Sequence, residues 1–267
     1  MINRRTEPAT ESWTDDRGVT EVLAFILVFA TIFGSIGLLY MTGFQAMSDY
    51  QEVEQQVNAE RAMDALADNF NDVIRYDGVN QRYGELALRE GTVTTGDSGT
   101  KLDIIIEDID GDVIEIGDND RFAHYSDDAT VDLGEFSYTS DGSTIAYEGG
   151  GLVRSDDSGE WSTVSKQPQL NCGDNAATIS LVAVSSESRS LQSSEGLGVT
   201  MSVENRTTKV YNDVEDVTIE IDESETEYDA AWKSTLENWG GSETLEETCE
   251  LGGGQLVVTF VEVDIDY

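Results

Sequence analysis

Hydrophobic residues follow three rhythms along this chain, and each predicts a different element. The first is unbroken. In Val19 to Phe44, VTEVLAFILVFATIFGSIGLLYMTGF, no charge interrupts Val22 to Met41. At 1.5 Å of rise per residue, that run makes a helix about 30 Å long, the thickness of a bilayer's hydrocarbon core. A buried core helix is the competing reading, but such helices seldom stay apolar on every side for this length. The run is read as a membrane-spanning or otherwise lipid-facing helix. The second rhythm is helical and one-sided. Ala46, Tyr50, Val53 and Val57 lie four and three apart, and Ala59, Met63, Leu66, Phe70 and Val73 resume the pattern after a shift, with Glu54, Glu60 and Asp64 on other faces. It predicts an amphipathic extension over residues 45–77, packed on the protein's own head or on a partner helix, and stopped at Asp77-Gly78.

Beyond Gly78 the period becomes two. Leu102 to Ile106 and Asp112 to Ile116 read as strands, and the Asp110-Gly111 between them favours the tight primed turn of a hairpin. Further candidates are Tyr83 to Arg89, Thr130 to Thr139, Ser143 to Glu148, Thr178 to Ser185, Gly198 to Glu204, Val214 to Ile221 and Gln255 to Asp266. Gly149-Gly150-Gly151 and Gly252-Gly253-Gly254 mark turns. Between the last two strands, Tyr228, Trp232, Leu236 and Trp239 at helical spacing predict one short helix within Glu225 to Trp239. The expected fold is α+β: a long N-terminal helix, transmembrane and then amphipathic, followed by an antiparallel β-sandwich-like head with one short helix. The expected divisions are a leader (1–18), the apolar helix (19–44), its extension (45–77) and an acidic β head (78–267).

Charge changes the picture of the head. Asp and Glu total 54 against 15 Lys plus Arg, a net charge of −39. Disorder is excluded by the large apolar residues of the strands, and nucleic-acid binding by repulsion from phosphate. A surface built for very high salt fits, because screening then shortens the Debye length to a few ångströms. The acidic residues Glu107, Asp108, Asp110 and Asp112 invite a calcium reading, but they lack the register of an EF-hand loop, and a solvated hairpin tip is the simpler account. His124 is the only histidine. A His-based metal cluster is therefore impossible, and no G-x-S-x-G, phosphate-cradling glycine loop or paired Cys motif appears. The sequence predicts no enzyme, no cofactor and no catalytic or metal-binding residue.

Cys172 and Cys249 either form one disulfide, as an exported head permits, or stand as two separate buried thiols. Asn205-Arg206-Thr207 is the one glycosylation sequon, just past a strand candidate and expected on a loop.

Met1 to Gly18, MINRRTEPATESWTDDRG, is polar and ends in a basic residue and a glycine directly before the apolar helix. Arg4, Arg5 and Arg17 precede that helix and the first basic residue after it is Arg61, which places the N-terminus in the cytoplasm and the head outside. The apolar core is too long for an ordinary secretory signal, and no small-residue cleavage pattern follows it. The junction DDRG-VTEVLAFILVF resembles the class III signal of archaeal type IV pilins and archaellins. The resemblance implies a prepilin peptidase that cuts between Gly18 and Val19, after Arg17, and leaves the helix on the mature protein. It also implies a pilus assembly ATPase, a membrane platform, and like or related pilin subunits as partners. Glu21 would be the third mature residue rather than the fifth, the place of the glutamate that meets a neighbour's terminal amine in bacterial pilins. The helix dipole is the alternative reason for a carboxylate there. Gly34 and Gly37, with Ser35, would let neighbouring helices approach closely, although small residues also occur in lone spanning helices. STIAYEGGGLVRS (Ser143 to Ser155), YDAAWKSTLENWG (Tyr228 to Gly240) and the terminal strand resemble a haloarchaeal group of pilin-like exported proteins. The expected function is a minor pilin or pseudopilin. The alternative is an uncleaved single-span cell-surface binding module with no filament role.

Overall fold

The computed structural model describes residues 16–267 except 88–90, 97–98, 117–121, 123–125, 128–129, 157–160 and 193–195, and, within its helices and strands, it leaves out the side chains of 16–19, 45–46, 48–53, 55 and 126–127. The chain divides into two compact units, residues 1–53 and 54–267. The boundary falls inside helix α1 (Asp16–Phe70) and inside the stretch read as one amphipathic extension.

In the first unit every residue from Thr20 to Phe44 is exposed. Aromatic side chains four apart meet along the helix: Phe25 stacks on Phe29 at 6.0 Å and Tyr40 on Phe44 at 6.1 Å, while Phe29 and Phe33 lie tilted at 4.3 Å. The hydroxyls turn inward to the backbone. Ser35 donates to the Ile32 carbonyl at 2.8 Å, Thr42 to that of Leu38 at 2.9 Å, and Thr31 to that of Leu27. A hydroxyl satisfied by its own helix costs little in an apolar surrounding.

The second unit is the head, and the end of α1 belongs to it. Ala59, Met63, Leu66, Ala67 and Phe70 are buried in one apolar cluster with the sheets, as the resumed stripe requires, whereas Val57 is exposed. Ion pairs flank that stripe. Lys166 reaches Asp64 at 2.7 Å and Asp68 at 2.8 Å, and Arg154 reaches Glu60 at 3.8 Å. Past Phe70, Asn71 breaks the helix before the short α2 (Asp72–Arg75). Its buried amide donates to the Gly150 carbonyl at 2.8 Å and accepts from the Tyr147 hydroxyl at 2.9 Å, tying the helix end to the sheet beneath.

The strands form two sheets, mostly antiparallel, in a sandwich-like head. The smaller contains β2 (Thr92–Gly96), β7 (Glu135–Ser140), β8 (Ser143–Glu148), β9 (Gly151–Asp156), β10 (Ser162–Lys166) and β13 (Arg189–Gln192), in the order β10-β9-β8-β7-β2-β13. The larger has β3 (Lys101–Asp108), β5 (Ser126–Asp127), β6 (Thr130–Asp132), β11 (Gln169–Gly173), β12 (Ala176–Val184), β14 (Gly196–Glu220) and β15 (Glu246–Asp266) along the path β11-β12-β15-β14-β3-β6-β5. In addition β1 (Gln81–Ala87) pairs with β14 and β4 (Val113–Glu115) with β3. Strands β12 and β15 run parallel, Ala176 opposite Gln255 through Val184 opposite Val263. Both faces of this pair are buried towards its end: Leu181, Leu256, Val258 and Phe260 enter one cluster, and Val182, Val184, Val261 and Val263 the other. That is why those segments read as nearly continuous apolar runs.

Helix α3 (Asp229–Gly240) buries Trp232, Leu236 and Trp239 against the sheets and ends on Gly241, left-handed at φ 94°. The left-handed cap is what glycine permits.

Several expectations are corrected. The segments 198–204 and 214–221 belong to one strand, β14, because β15 supports its whole length. Thr130 to Thr139 is split into β6 and β7 around Gly134, at φ 52°. Asp110-Gly111 does not form a two-residue primed turn. The loop has three residues, with the Gly111 N–H donating to the Asp108 carbonyl at 3.0 Å and Gly111 left-handed at φ 83°, the type I turn plus bulge that also calls for glycine. Gly149 and Gly150 do turn the chain between β8 and β9. Gly252-Gly253-Gly254 does not reverse it. These residues lie within β15, where Leu251 to Gly253 bulge out between the pairs Asp216–Glu250 and Val214–Gly254, while Asn212 and Asp213 bulge out of β14. The double bulge bends both strands.

Candidate functional site

One described helix is long and apolar enough to cross a membrane: Thr20–Phe44, with mean hydropathy 2.6 and no residue buried. Glu21 is exposed at its start. Side chains added at Gly34 or Gly37 would meet nothing within 4 Å, so each leaves an open notch in the helix surface. The backbone of Arg17, Gly18 and Val19 is helical, and their side chains lie outside the described residues.

On the head, Cys172 of β11 and Cys249 of β15 form a disulfide with Cα atoms 5.9 Å apart. Asn205 is not on a loop. It lies within β14, half-buried opposite Glu262, next to a bulge. The neighbouring Arg206 turns to the other side and donates to the carbonyls of Val73 at 2.6 Å and Val79 at 3.1 Å. At the tip of the β3–β4 hairpin, Asp108 accepts from the N–H groups of Asp110 at 2.9 Å and Asp112 at 3.0 Å, so its carboxylate serves the turn. Among the described residues no three His, Cys, Asp or Glu side chains converge as metal ligands, and His124 lies outside those residues.

A buried polar network, not anticipated from the sequence, joins the two sheets to α3. Glu148, 1% exposed at the end of β8, accepts from Trp232 Nε1 at 2.6 Å, from the Thr100 hydroxyl at 2.9 Å and from the Thr100 N–H at 2.9 Å. The Thr100 and Thr226 hydroxyls lie 2.7 Å apart. Close by, the Tyr228 hydroxyl donates to buried Glu135 at 2.7 Å. Burial pushes the Glu148 carboxyl up to about 7, against the lowering effect of the Thr100 and Trp232 hydrogen bonds. Burial and the Glu135 charge also raise the Tyr228 hydroxyl. The carboxylate oxygens are engaged by the protein's own donors, so the network holds α3 in place.

The exposed face of the large sheet has two halves, separated by the double bulge. On one side, cross-strand rows run Glu107–Asp216–Glu250 and Asp103–Glu220–Glu246, with Ile105–Thr218–Thr248 between them. Three strands by three rows make nine positions, of which six are carboxylates. On the other side the rows are Gln169–Ser180–Thr259–Thr208, then Asn171–Thr178–Val257–Val210, then Gly173–Ala176–Gln255, beside which Asn212 lies in the bulge of β14. None of these twelve residues carries a charge, and Ser180 alone among them is buried. Side-chain bonds cross between strands on this half, Thr208 to Thr259 at 3.0 Å and Gln255 to Asn212 at 2.8 Å.

No curated protein and no solved structure matches this chain. A family of unknown function, DUF7289, matches residues 17–266, the apolar helix together with the head. The chain belongs to that family.

Proposed function

We propose that this protein is a type IV pilin-like surface subunit, a minor pilin or pseudopilin, of a halophilic archaeon. The observation that carries the reading is the wholly exposed apolar helix Thr20–Phe44, on a chain whose head has a core of its own. The leader Met1 to Gly18 is removed by a prepilin peptidase, and the helix waits in the membrane with the head outside. An assembly ATPase and a membrane platform then move subunits from lipid into a bundle of like helices. Lipid and bundle are almost equally apolar, so the transfer avoids about 25 cal/mol for each Å² that water would otherwise reach. Gly34 and Gly37 admit close neighbours, and the self-bonded hydroxyls leave little polar demand unmet. Three observations support the reading. The family match treats helix and head as one unit, the disulfide suits an oxidising exterior, and the net charge of −39 suits high salt.

The test is intact mass and N-terminal sequencing of protein isolated from its native membranes, beside a Gly18→Phe variant. The expected wild-type chain begins at Val19, and the variant keeps its leader. A wild-type chain that retains Met1 to Gly18 overturns the pilin reading and leaves an uncleaved single-span binding module.

A further inference from the structure

We infer that the uncharged half of the large sheet's exposed face is a contact surface for a second copy of this chain. Charged residues make up 26% of the sequence, yet twelve neighbouring positions on this face carry none, and all but the buried Ser180 are at least partly open to solvent. Solubility does not require this bareness, because the same face carries carboxylates at six of nine positions past the bulge.

Charge decides the occupant. Each copy carries a net −39, so two copies approaching through acidic faces must strip water from carboxylates with no cation to meet them. The uncharged half is where acidic copies touch without that cost. A basic partner would instead be drawn to the carboxylate rows. An apolar partner finds only Val257, Val210 and Ala176 among hydroxyls and amides. Hydroxyl and amide side chains both donate and accept, so this surface complements a copy of itself.

Area sets the strength. Four strands by about five residues of strand length cover roughly 300 Å², from strand spacing and rise. A stable free dimer needs about 800 Å² per partner. The contact is therefore weak alone and acts between copies already held together, where a shared membrane supplies an effective concentration in the millimolar range. The inference rests on the helix being a membrane anchor and is independent of leader removal.

The experiment uses the full chain in its native membranes. Both cysteines are joined in the disulfide, so a single engineered cysteine is the free thiol. Val210→Cys and Thr178→Cys place it on the uncharged half, and Thr248→Cys places it on the acidic half of the same face. Val210 is 48% exposed and makes no demand on the core. After treatment with a short bismaleimide, dimer at one or both uncharged-half positions should exceed that at Thr248→Cys by about tenfold, because the membrane concentrates both halves equally and only the contact distinguishes them. Absence of dimer at both positions, equal dimer on the two halves, or cross-linked products made only with other proteins would overturn the proposal. N-terminal sequencing of the same samples separates the two readings. A chain that keeps Met1 to Gly18 and still forms dimer from Val210→Cys retains this contact and loses the pilin role.

Discussion

The two halves of the large sheet's exposed face follow the same inside–outside alternation and differ in what they place outside. Past the bulge, carboxylates stand in rows three strands wide, Glu107–Asp216–Glu250 and Asp103–Glu220–Glu246. Before it, hydroxyls, amides and valines fill the equivalent positions. Like charges directly opposite one another on a sheet destabilise it by up to about 1 kcal/mol per pair. The acidic half tolerates several such pairs, and in the high salt we propose for this protein screening keeps their cost small. The difference shows that the charge of −39 is not an even coat. On this face six carboxylates stand together past the bulge and none stands before it.

The halves are held together behind the bulge by the disulfide, since Cys172 is on the outermost strand of the uncharged half and Cys249 is on the acidic half of β15. Replacing both cysteines with alanine should produce the largest effect. Closing a loop across 77 residues is worth about 4 kcal/mol in the chain-entropy account. Denaturant unfolding of the full chain, oxidised and doubly substituted, measures it. A loss below about 1 kcal/mol, the range of minor substitutions, would mean that the ladders alone hold the halves in register.

Glu148 turns the comparison inside out, a carboxyl deprived of water rather than bathed in it. Its folded value of about 7 lies above the ordinary 4.5. Between those values the folded protein keeps a proton that the unfolded chain has lost, so this group's contribution is fully present below about pH 4.5 and is lost as pH rises through 7. The difference amounts to about 3 kcal/mol. Glu148→Gln cannot ionise. It also turns an amide N–H₂ toward donors from Thr100 or Trp232, a fixed cost of about 1–3 kcal/mol. Unfolding measured from pH 4 to 8 should therefore show the gap between wild type and variant shrinking as pH rises. A gap constant across that range would mean that Glu148 takes up its proton at the same pH in the folded and unfolded chains.

How much of this was legible depends on the range of the interaction that decides it. The helix Thr20–Phe44 needs only composition, and Met63, Leu66 and Phe70 need only a period, so both could be read directly. Gly252 to Gly254 misled because a turn and a bulge ask the same thing of glycine, a positive φ, as Gly252 and Gly253 show. Only β14 alongside reveals which it is. The sequence pattern does not announce the short strands β2, β5, β9, β10, β11 and β13. Segments such as TVTTG, STVSK and RSLQ carry too few apolar residues to announce themselves and become strands through their neighbours. Glu148 was one of 54 acidic residues. Nothing local marks it, because Thr100 and Trp232 reach it from distant parts of the chain.

The smallest effect bears most directly on the two halves. Glu220 stands between Asp103 and Glu246 in one acidic row, and Thr208 stands beside Thr259 in an uncharged one. Both Glu220 and Thr208 are exposed, so either position accepts a lysine without disturbing the core. Glu220→Lys removes two like-charge contacts and creates two attractive ones, worth about 1 kcal/mol in dilute buffer. Thr208→Lys changes no charge pair within its row and should stay within about 0.5 kcal/mol of wild type. In molar salt the Debye length falls to about 3 Å, shorter than the spacing between strands, and the Glu220→Lys gain should fade. Thermal unfolding of the three proteins at low and molar salt decides it. A gain that persists undiminished in molar salt would show that the introduced lysine packs against the strands rather than answering their charge, and the acidic half would then be no more electrostatic in character than the other.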